Sequence, residues 1–301
     1  MATVGFLLFR SAFTLAEQIA PTLTGRAAFE LFCRTRNPTR LSTREEAAVR
    51  AAAPFMAEAR RKHLTSRHGC FVAYDFPGEA GQGAPTVLVV HGWGSRAAHM
   101  RAHIGALRDV GYRVIALDLP GHGASPGRRL NLAIAVEAVR TAADWFGPFA
   151  GIVGHSFGGA IALNAVAGSI RDVAPVEARR LVMISSLSSM PALFDDFGRF
   201  LGLGTRTQTA LAERVHAVAG HPLENYVGAQ QLRELKVPTL AVHAPDDKEV
   251  AFENARQFEA AGGHVLLLRA PGLGHRRILA DGRVASTVAH FMLSGEVETT
   301  A

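Results

Sequence analysis

The feature that most constrains the fold is a regular alternation of buried strands and helices after residue 85. Residues 86–91 (TVLVVH) and 113–118 (RVIALD) are short, continuous apolar runs, as strands are when both faces of a parallel sheet are covered. Segments with helical spacing follow each run, over residues 96–110 and 131–146. Repeated βα units of this length predict an α/β fold with a mostly parallel central sheet flanked by helices.

The same rhythm continues to the end of the chain with one interruption. Further apolar strands are predicted by a pattern that recurs at residues 151–155, 180–186, 239–244 and 264–269. Between residues 187 and 237 the rhythm breaks, and phenylalanines stand among charged residues and glycines. A segment of this length is too long for a plain loop, so we predict a short helical cap inserted at about residues 187–237.

The first 66 residues have a different character and are predicted to form an N-terminal helical extension packed on the body of the protein. Ser42 with Glu45, or Thr43 with Glu46, makes a capping box that opens a helix expected to run to about Lys62. A strand over residues 70–76 then follows. We therefore divide the chain into an extension, residues 1–66, and one domain, residues 67–301, which contains the cap.

The N-terminus itself predicts an amphipathic helix. Arg10 and Glu17 interrupt what would be the apolar region of a signal peptide, so we do not expect a cleaved leader. The helix is expected to pack on the protein or on a second copy of it, and contact with a membrane surface is the alternative. One broad face collects the apolar residues Leu8, Phe9, Ala12, Phe13, Leu15, Ala16, Ile19 and Ala20.

Composition excludes several classes of protein. The formal charge of +6 is spread along all 301 residues instead of forming a basic block, so we expect no nucleic-acid partner. No apolar run reaches the ~18 residues of a spanning helix. We expect a cytoplasmic location, with peripheral membrane association as the alternative. Cys33 and Cys70 lack metal-ligand spacing. The basic residues are almost all arginine, a usage typical of GC-rich bacteria.

The sequence GHSFGG, residues 154–159, carries the chemistry. It follows a predicted buried strand and precedes a predicted helix, which is the setting of a nucleophile elbow. Gly154 and Gly158 stand two residues before and after Ser156, where a sharp strand-to-helix turn brings neighbouring backbone too close for side chains. We therefore predict that Ser156 is a strained, reactive serine.

A serine hydroxyl needs a base, and the base needs a carboxylate. His275 follows the last predicted strand in a glycine-rich loop, and Asp246 and Asp247 follow the strand before it. All of these groups lie at the carboxyl ends of parallel strands, where such sheets place their sites. The backbone N–H groups of Trp93, in the sequence HGWGS, and of Phe157 are the expected donors to a developing oxyanion.

These motifs, in this order, resemble the α/β-hydrolase-fold serine hydrolases over about residues 70–291. The matching stretches are HGWGS, LDLPGHGAS, GHSFGG, VHAPDDKEV and GLGH. The resemblance implies that Ser156 is the nucleophile, His275 the base, and Trp93 and Phe157 the oxyanion donors. It favours Asp247 over Asp246 as the acid, and it implies that Asp118, His122 and Ser125 shape a turn.

The resemblance also implies a reaction. A serine at the elbow argues against haloalkane dehalogenases and epoxide hydrolases, which use an aspartate there. We expect hydrolysis of a carboxylic ester with an apolar moiety, through an acyl-enzyme, with no metal or organic cofactor. A thioesterase, an acyltransferase or a carbon–carbon bond hydrolase with the same triad is the alternative. A catalytically silent protein that binds a ligand or partner is a further one.

Overall fold

The computed structural model describes residues 4–78 and 83–297, and over them the chain forms an eight-stranded sheet. The strands β1 to β8 are Arg60–Ser66, Gly69–Phe76, Thr86–Val90, Arg113–Asp118, Phe149–His155, Leu181–Ile184, Thr239–His243 and Val265–Arg269. Their spatial order is β1-β2-β4-β3-β5-β6-β7-β8. Strands β3 to β8 are parallel to one another, and only the β1–β2 and β2–β4 pairs are antiparallel. The predicted mostly parallel sheet is confirmed.

Helices cover both faces of this sheet. The helices α1 to α12 within the described residues are Val4–Ile19, Pro21–Cys33, Thr43–Met56, Arg101–Asp109, Leu132–Phe146, Phe157–Ala167, Met190–Leu201, Thr205–Ala219, Gly228–Leu235, Glu253–Glu259, Gly274–Arg277 and Gly282–Ser294. Alternate side chains of β3 enter different cores: Leu88 and Val90 pack with α5 and α6, whereas Val87 and Val89 pack with α4 and α12. The continuous apolar runs of the sequence follow from this burial on both faces.

One strand of the sheet was not predicted from the sequence. The helix that opens at the capping box of Ser42 and Glu45 ends at Met56 and does not reach Lys62. Residues Arg60–Ser66 form the edge strand β1, so the sheet begins inside the segment that we assigned to the extension. Leu64 is the single buried side chain of β1, and the strand is held by backbone pairing with β2. An exposed, charged edge strand has no apolar alternation that could reveal it.

The helices α7, α8 and α9 occupy the stretch that we predicted as a cap, and the N-terminal helices lie against them. A Cβ atom added to Gly25 of α2 would come within 2.8 Å of the Ala210 Cβ of α8, so the two helices pack almost backbone to backbone. The Glu17 carboxylate of α1 accepts a hydrogen bond from the Gly204 N–H just before α8. The extension is therefore packed on the cap through direct contacts of both α1 and α2.

The apolar face predicted for α1 is only partly covered. Phe13 packs against the core, whereas Leu15 and Ile19 are largely exposed, as is Leu23 at the start of α2. The predicted face members Leu8 and Phe9 have side chains outside those that the structure describes. None of the helices over residues 4–78 and 83–297 is long and apolar enough to cross a membrane.

Candidate active site

Ser156 lies at the turn between β5 and α6 in a strained conformation. Its φ of 54° and ψ of −122° are rarely adopted by a residue with a side chain. Two hydrogen bonds hold the turn in place: the Ser156 N–H donates to the Ile184 carbonyl at 2.8 Å, and the Ser186 hydroxyl donates to the Ser156 carbonyl at 3.0 Å. The neighbouring strand β6 thus holds the backbone that presents the Ser156 side chain.

The glycines on either side of Ser156 allow this turn to close. A Cβ atom on Gly154 would lie 2.4 Å from the Gly158 carbonyl oxygen, and one on Gly158 would lie 2.3 Å from the Val90 carbonyl oxygen. Both distances are well inside van der Waals contact with backbone that cannot move aside. These two positions therefore admit only glycine, as the sequence motif predicts.

Asp247 and His275 form a hydrogen-bonded pair. Nδ1 of His275 lies 2.8 Å from Oδ2 of Asp247, whose side chain is fully buried. Oδ1 of the same carboxylate accepts the N–H groups of Glu249 and Val250, at 2.8 and 2.9 Å, which aims Oδ2 at the imidazole. Burial alone would raise the pKa of Asp247, but the hydrogen bonds from Val250, His275 and Glu249 outweigh it, and the pKa lies below its ordinary value.

The neighbouring carboxylate is placed differently. Asp246 is bound to the loop backbone instead, because its Oδ1 accepts the Gly272 N–H at 2.7 Å. Its side chain is 43% exposed, and it lies 3.9 Å from the Arg277 guanidinium. The structure thus brings His275 to Asp247, and it gives Asp246 the loop-capping contact. His275 itself lies in the one-turn helix α11 and not in an irregular loop.

The contact with Asp247 sets the tautomer of His275. A carboxylate can only accept, so Nδ1 carries the hydrogen and Nε2 is left as the acceptor. Among the described residues, no hydrogen bond joins Nε2 of His275 to the Ser156 hydroxyl. Hydrogen bonds between a nucleophile and its base are often loose until a substrate is bound.

His155 connects the serine to this pair. Its Nε2–H donates to the backbone carbonyl of His275 at 2.9 Å, and the two rings lie 4.7 Å apart. Burial lowers the pKa of His155 to about 3, so the ring is neutral. The residue before Ser156 therefore holds the backbone of His275. The sequence does not reveal this contact, because the two residues lie 120 positions apart in the chain.

The loop after β3 approaches Ser156 from the other side. A Cβ atom on Gly92 would lie 2.9 Å from the Ser156 Cβ, which places the backbone of Trp93 beside the serine. Two neutral histidines hold this loop: Nε2 of His91 accepts the Leu119 N–H at 3.0 Å, and Nε2 of His122 accepts the Gly94 N–H at 2.9 Å. Burial lowers the pKa of both rings, which keeps these nitrogens available as acceptors.

The two residues expected to supply the oxyanion donors contact each other through their rings. Phe157 is the first residue of α6, so its N–H has no acceptor within the helix, and the positive end of the helix dipole lies there. The rings of Phe157 and Trp93 meet edge to face with centroids 5.7 Å apart. The structure thus groups the residues that the sequence singled out: Ser156, Trp93 and Phe157 on one side, and the His275–Asp247 pair on the other, joined by His155.

Asp118 has the structural role expected of it. Its carboxylate accepts the N–H groups of Ala97 and Ala124, at 2.8 and 2.7 Å, and the Tyr74 hydroxyl at 3.1 Å. These bonds tie the turn after β4 to the segment that follows the Trp93 loop. Burial is the main reason that the pKa of Asp118 is raised.

An aromatic residue of the N-terminal extension also reaches the site, and the sequence analysis did not identify it. The Phe32 ring of α2 lies 5.8 Å from the Trp93 ring and 4.5 Å from the Phe194 ring of the cap, measured between centroids. The sequence feature that points to Phe32 is its spacing of three residues from Phe29 on a helix. That spacing predicts a buried face but not what the face touches.

Comparison with known families identifies a match over two thirds of the chain. The model of a family described as "Alpha/beta hydrolase family" matches residues 87–287. That range begins within β3 and ends within α12, and it includes every residue grouped around Ser156 except Phe32.

Two curated relatives share part of the sequence. The dihydrolipoyllysine-residue acetyltransferase component of the acetoin cleaving system of Cupriavidus necator is 34% identical over 159 residues, which cover 52% of this chain and 34% of that protein. Epoxide hydrolase A of Mycobacterium tuberculosis is 34% identical over 123 residues, 38% of this chain and 35% of the relative. The matched segment spans about a third of the length of each relative.

Solved structures resemble the fold as a whole. An esterase from Rhodococcus sp. ECU1013 has a TM-score of 0.58 at 18% identity and covers 78% of this chain and 99% of its own. Est1E from Butyrivibrio proteoclasticus, solved with ferulic acid bound, has a TM-score of 0.64 at 20% identity over 78% and 98% of the two chains. The thioesterase domain from the curacin biosynthetic pathway has a TM-score of 0.54 at 16% identity over 78% and 99%.

Proposed function

The chain belongs to the alpha/beta hydrolase family, and from that premise we propose that it is a serine hydrolase that cleaves carboxylic esters through an acyl-enzyme on Ser156. One observation carries the proposal: the buried Asp247–His275 pair is held by His155 next to a serine in a strained elbow. A serine, an imidazole of fixed tautomer and a carboxylate are the three groups that acyl transfer to a hydroxyl requires.

In the first half of the reaction, the Ser156 hydroxyl attacks the ester carbonyl while Nε2 of His275 takes its proton. The imidazolium that forms is stabilised by the Asp247 carboxylate across the 2.8 Å contact at Nδ1. Nε2 then donates the proton to the departing alkoxide as the ester C–O bond breaks. The alcohol leaves, and the acyl group remains on the Ser156 oxygen.

In the second half, a water molecule replaces the alcohol. His275 takes a proton from the water as it attacks the acyl carbonyl, and returns that proton to the Ser156 oxygen as the acyl bond breaks. In both halves the carbonyl oxygen acquires negative charge. The N–H groups of Trp93 and Phe157 are the donors to that oxygen, each contributing roughly 3 kcal/mol to transition-state stabilisation.

The surroundings of the serine support an apolar acyl group. Phe157 follows Ser156 in the chain, and its ring contacts the Trp93 ring. The rings of Phe32 and Phe194 continue this aromatic cluster into the cap. An ester with a short- to medium-length apolar acyl chain is therefore the substrate class that we propose. Its leaving alcohol departs on the side of His275.

The same residues would serve a thioester or an alcohol acceptor, and the similarity to a thioesterase domain and to an acetyltransferase component keeps those reactions as alternatives. Epoxide opening is a weaker candidate despite the relative with that name. Epoxide hydrolases of the α/β-hydrolase fold use an aspartate at the elbow, whereas this chain has Ser156 there. Product analysis with competing alcohols and with thioesters would separate the remaining reactions.

Labelling by a fluorophosphonate tests the proposal directly. The wild type and Ser294→Ala, which changes an exposed serine, should both be labelled, with the label located by mass spectrometry on residue 156. Ser156→Ala should keep its circular dichroism spectrum and lose both the label and the hydrolysis of p-nitrophenyl esters. A folded wild type that takes no label would instead support a catalytically silent binding protein.

A further inference from the structure

Five aromatic side chains form a continuous wall that leads away from Ser156. Phe157 contacts Trp93 with ring centroids 5.7 Å apart, Trp93 contacts Phe32 at 5.8 Å, and Phe32 contacts Phe194 and Phe197 at 4.5 and 5.2 Å. We call these five residues the aromatic wall. It begins beside the serine and ends in the cap.

Phe32 occupies the junction of this wall and comes from outside the family-matched range of residues 87–287. It lies in α2, which is held against the cap by the close approach of Gly25 to α8. Its side chain is only half-buried, whereas Phe29 and Phe194 beside it are almost fully buried. Phe32 therefore faces open space on one side and the packed interior of the cap on the other.

Two cavities lie beyond Phe32. A small apolar cavity of about 20 Å³ is lined by Phe29, Phe32, Phe194 and Tyr226, among others. A larger one of about 520 Å³ lies next to it, because Asn131 and Val218 line both. Both are at the edge of the sheet where the parallel strands end, which is also the edge that carries Ser156. Phe32 lines the smaller, apolar cavity, and the larger cavity next to it has a mixed lining that includes His68, Arg128 and Ile134.

We propose that the acyl chain of the substrate binds along the aromatic wall and that Phe32 limits the chain length that the site accepts. This inference rests on the proposed function. With the acyl carbonyl oxygen at the N–H groups of Trp93 and Phe157, the chain runs past the Trp93 ring and meets Phe32. The end of the acyl site is therefore formed by the N-terminal helix α2, and not by the cap alone.

Charges around α2 favour an uncharged chain. Arg129 and Arg214 both pair with the carboxylate of Glu30 on the same helix, so neither guanidinium is left to bind a terminal carboxylate. The wall itself offers only ring carbons and the indole N–H. The part of the acyl group that lies along the wall is accordingly a plain hydrocarbon chain or an aromatic ring without a charge.

The test compares kcat/KM for p-nitrophenyl esters, whose acyl chains range from two to twelve carbons, in the wild type and three variants. Phe32→Ala should move the optimum to longer chains, with kcat/KM rising roughly fourfold for each further methylene that becomes buried. Phe32→Trp should move the optimum to shorter chains. Leu23→Ala is the matched control, since it removes an exposed side chain from the same helix, and its profile should equal that of the wild type.

Folding is checked separately by circular dichroism and thermal unfolding. If Phe32→Ala does not fold, Phe32→Leu takes its place, and Phe32→Trp still tests the opposite direction. Suppose that the wild type is labelled on Ser156. If the Phe32 variants then keep its chain-length profile, or lose kcat/KM equally for every ester, the role of Phe32 alone is overturned. A wild type that neither reacts with the fluorophosphonate nor hydrolyses any ester would overturn the proposed function first.

Discussion

Nδ1 of His275 lies 2.8 Å from Oδ2 of Asp247, while the adjacent carboxylate of Asp246 accepts a hydrogen bond from the Gly272 N–H. This difference separates two neighbouring acids that the sequence could not separate from its residues alone. Asp247→Asn should lower kcat/KM by roughly 10⁴-fold, because an amide can donate to Nδ1 and stabilise the wrong tautomer. Ester hydrolysis under steady-state conditions measures the effect.

Asp246→Asn is the matched control for that substitution. It keeps an acceptor for the Gly272 N–H at an exposed position, so kcat/KM should stay within about threefold of the wild type, since exposed changes of this kind cost little. Equal losses in the two variants would contradict the assignment of the acid.

His155 is expected to act on catalysis through the backbone of His275. His155→Phe removes the Nε2–H donor and should lower kcat about tenfold with little change in KM, in keeping with the loss of one hydrogen bond. His155→Gln retains a donor of similar reach and should restore part of the rate. If both variants show the wild-type kcat, the hydrogen bond has no positioning role.

Gly158 tests whether the elbow is as crowded as its geometry indicates. Gly158→Ala places a methyl group 2.3 Å from the Val90 carbonyl oxygen and should lower the free energy of unfolding by about 3 kcal/mol. Gly282→Ala, at the first residue of α12 with no atom within 4 Å of the new Cβ, should leave stability unchanged or raise it by up to ~1 kcal/mol. Urea unfolding of both variants decides between these outcomes.

His103 is expected to weaken the fold as the pH falls. Its ring is buried near the backbone of Ile278 with neither nitrogen in hydrogen-bonding geometry, and desolvation lowers its pKa from 6.5 to about 4. Between those pH values the unfolded chain binds a proton that the folded chain does not. The free energy of unfolding should therefore fall on acidification from pH 6.5 towards 4, with a contribution of about 1 kcal/mol per pH unit from this residue.

His103→Met should remove that part of the slope in urea unfolding measured from pH 7 to 4. His216→Met, which changes an exposed histidine of α8, is the control and should show the slope of the wild type. A wild-type slope in His103→Met would mean that another group, such as His155, accounts for the pH dependence.

The core of the sheet and the residues around Ser156 could be predicted because each follows from a pattern within a short stretch of sequence. Strands such as β3 are buried at every position and carry consecutive apolar residues, here Val87 to Val90, and Gly154 and Gly158 stand at a fixed spacing of two residues before and after Ser156. The strand β1 and the contact between His155 and His275 could not be predicted in this way. One depends on backbone pairing at an edge, and the other joins residues that meet only in the folded chain.

The close packing of α2 on α8 bears on how a substrate enters. Gly25 and Ala210 leave no room for the two helices to slide, and Glu17 ties α1 to the start of α8. We therefore expect α1, α2 and α8 to move as one rigid body whenever the site opens. A change in α1 or α2 would then be transmitted to the cap, although both helices lie near the opposite end of the chain from His275.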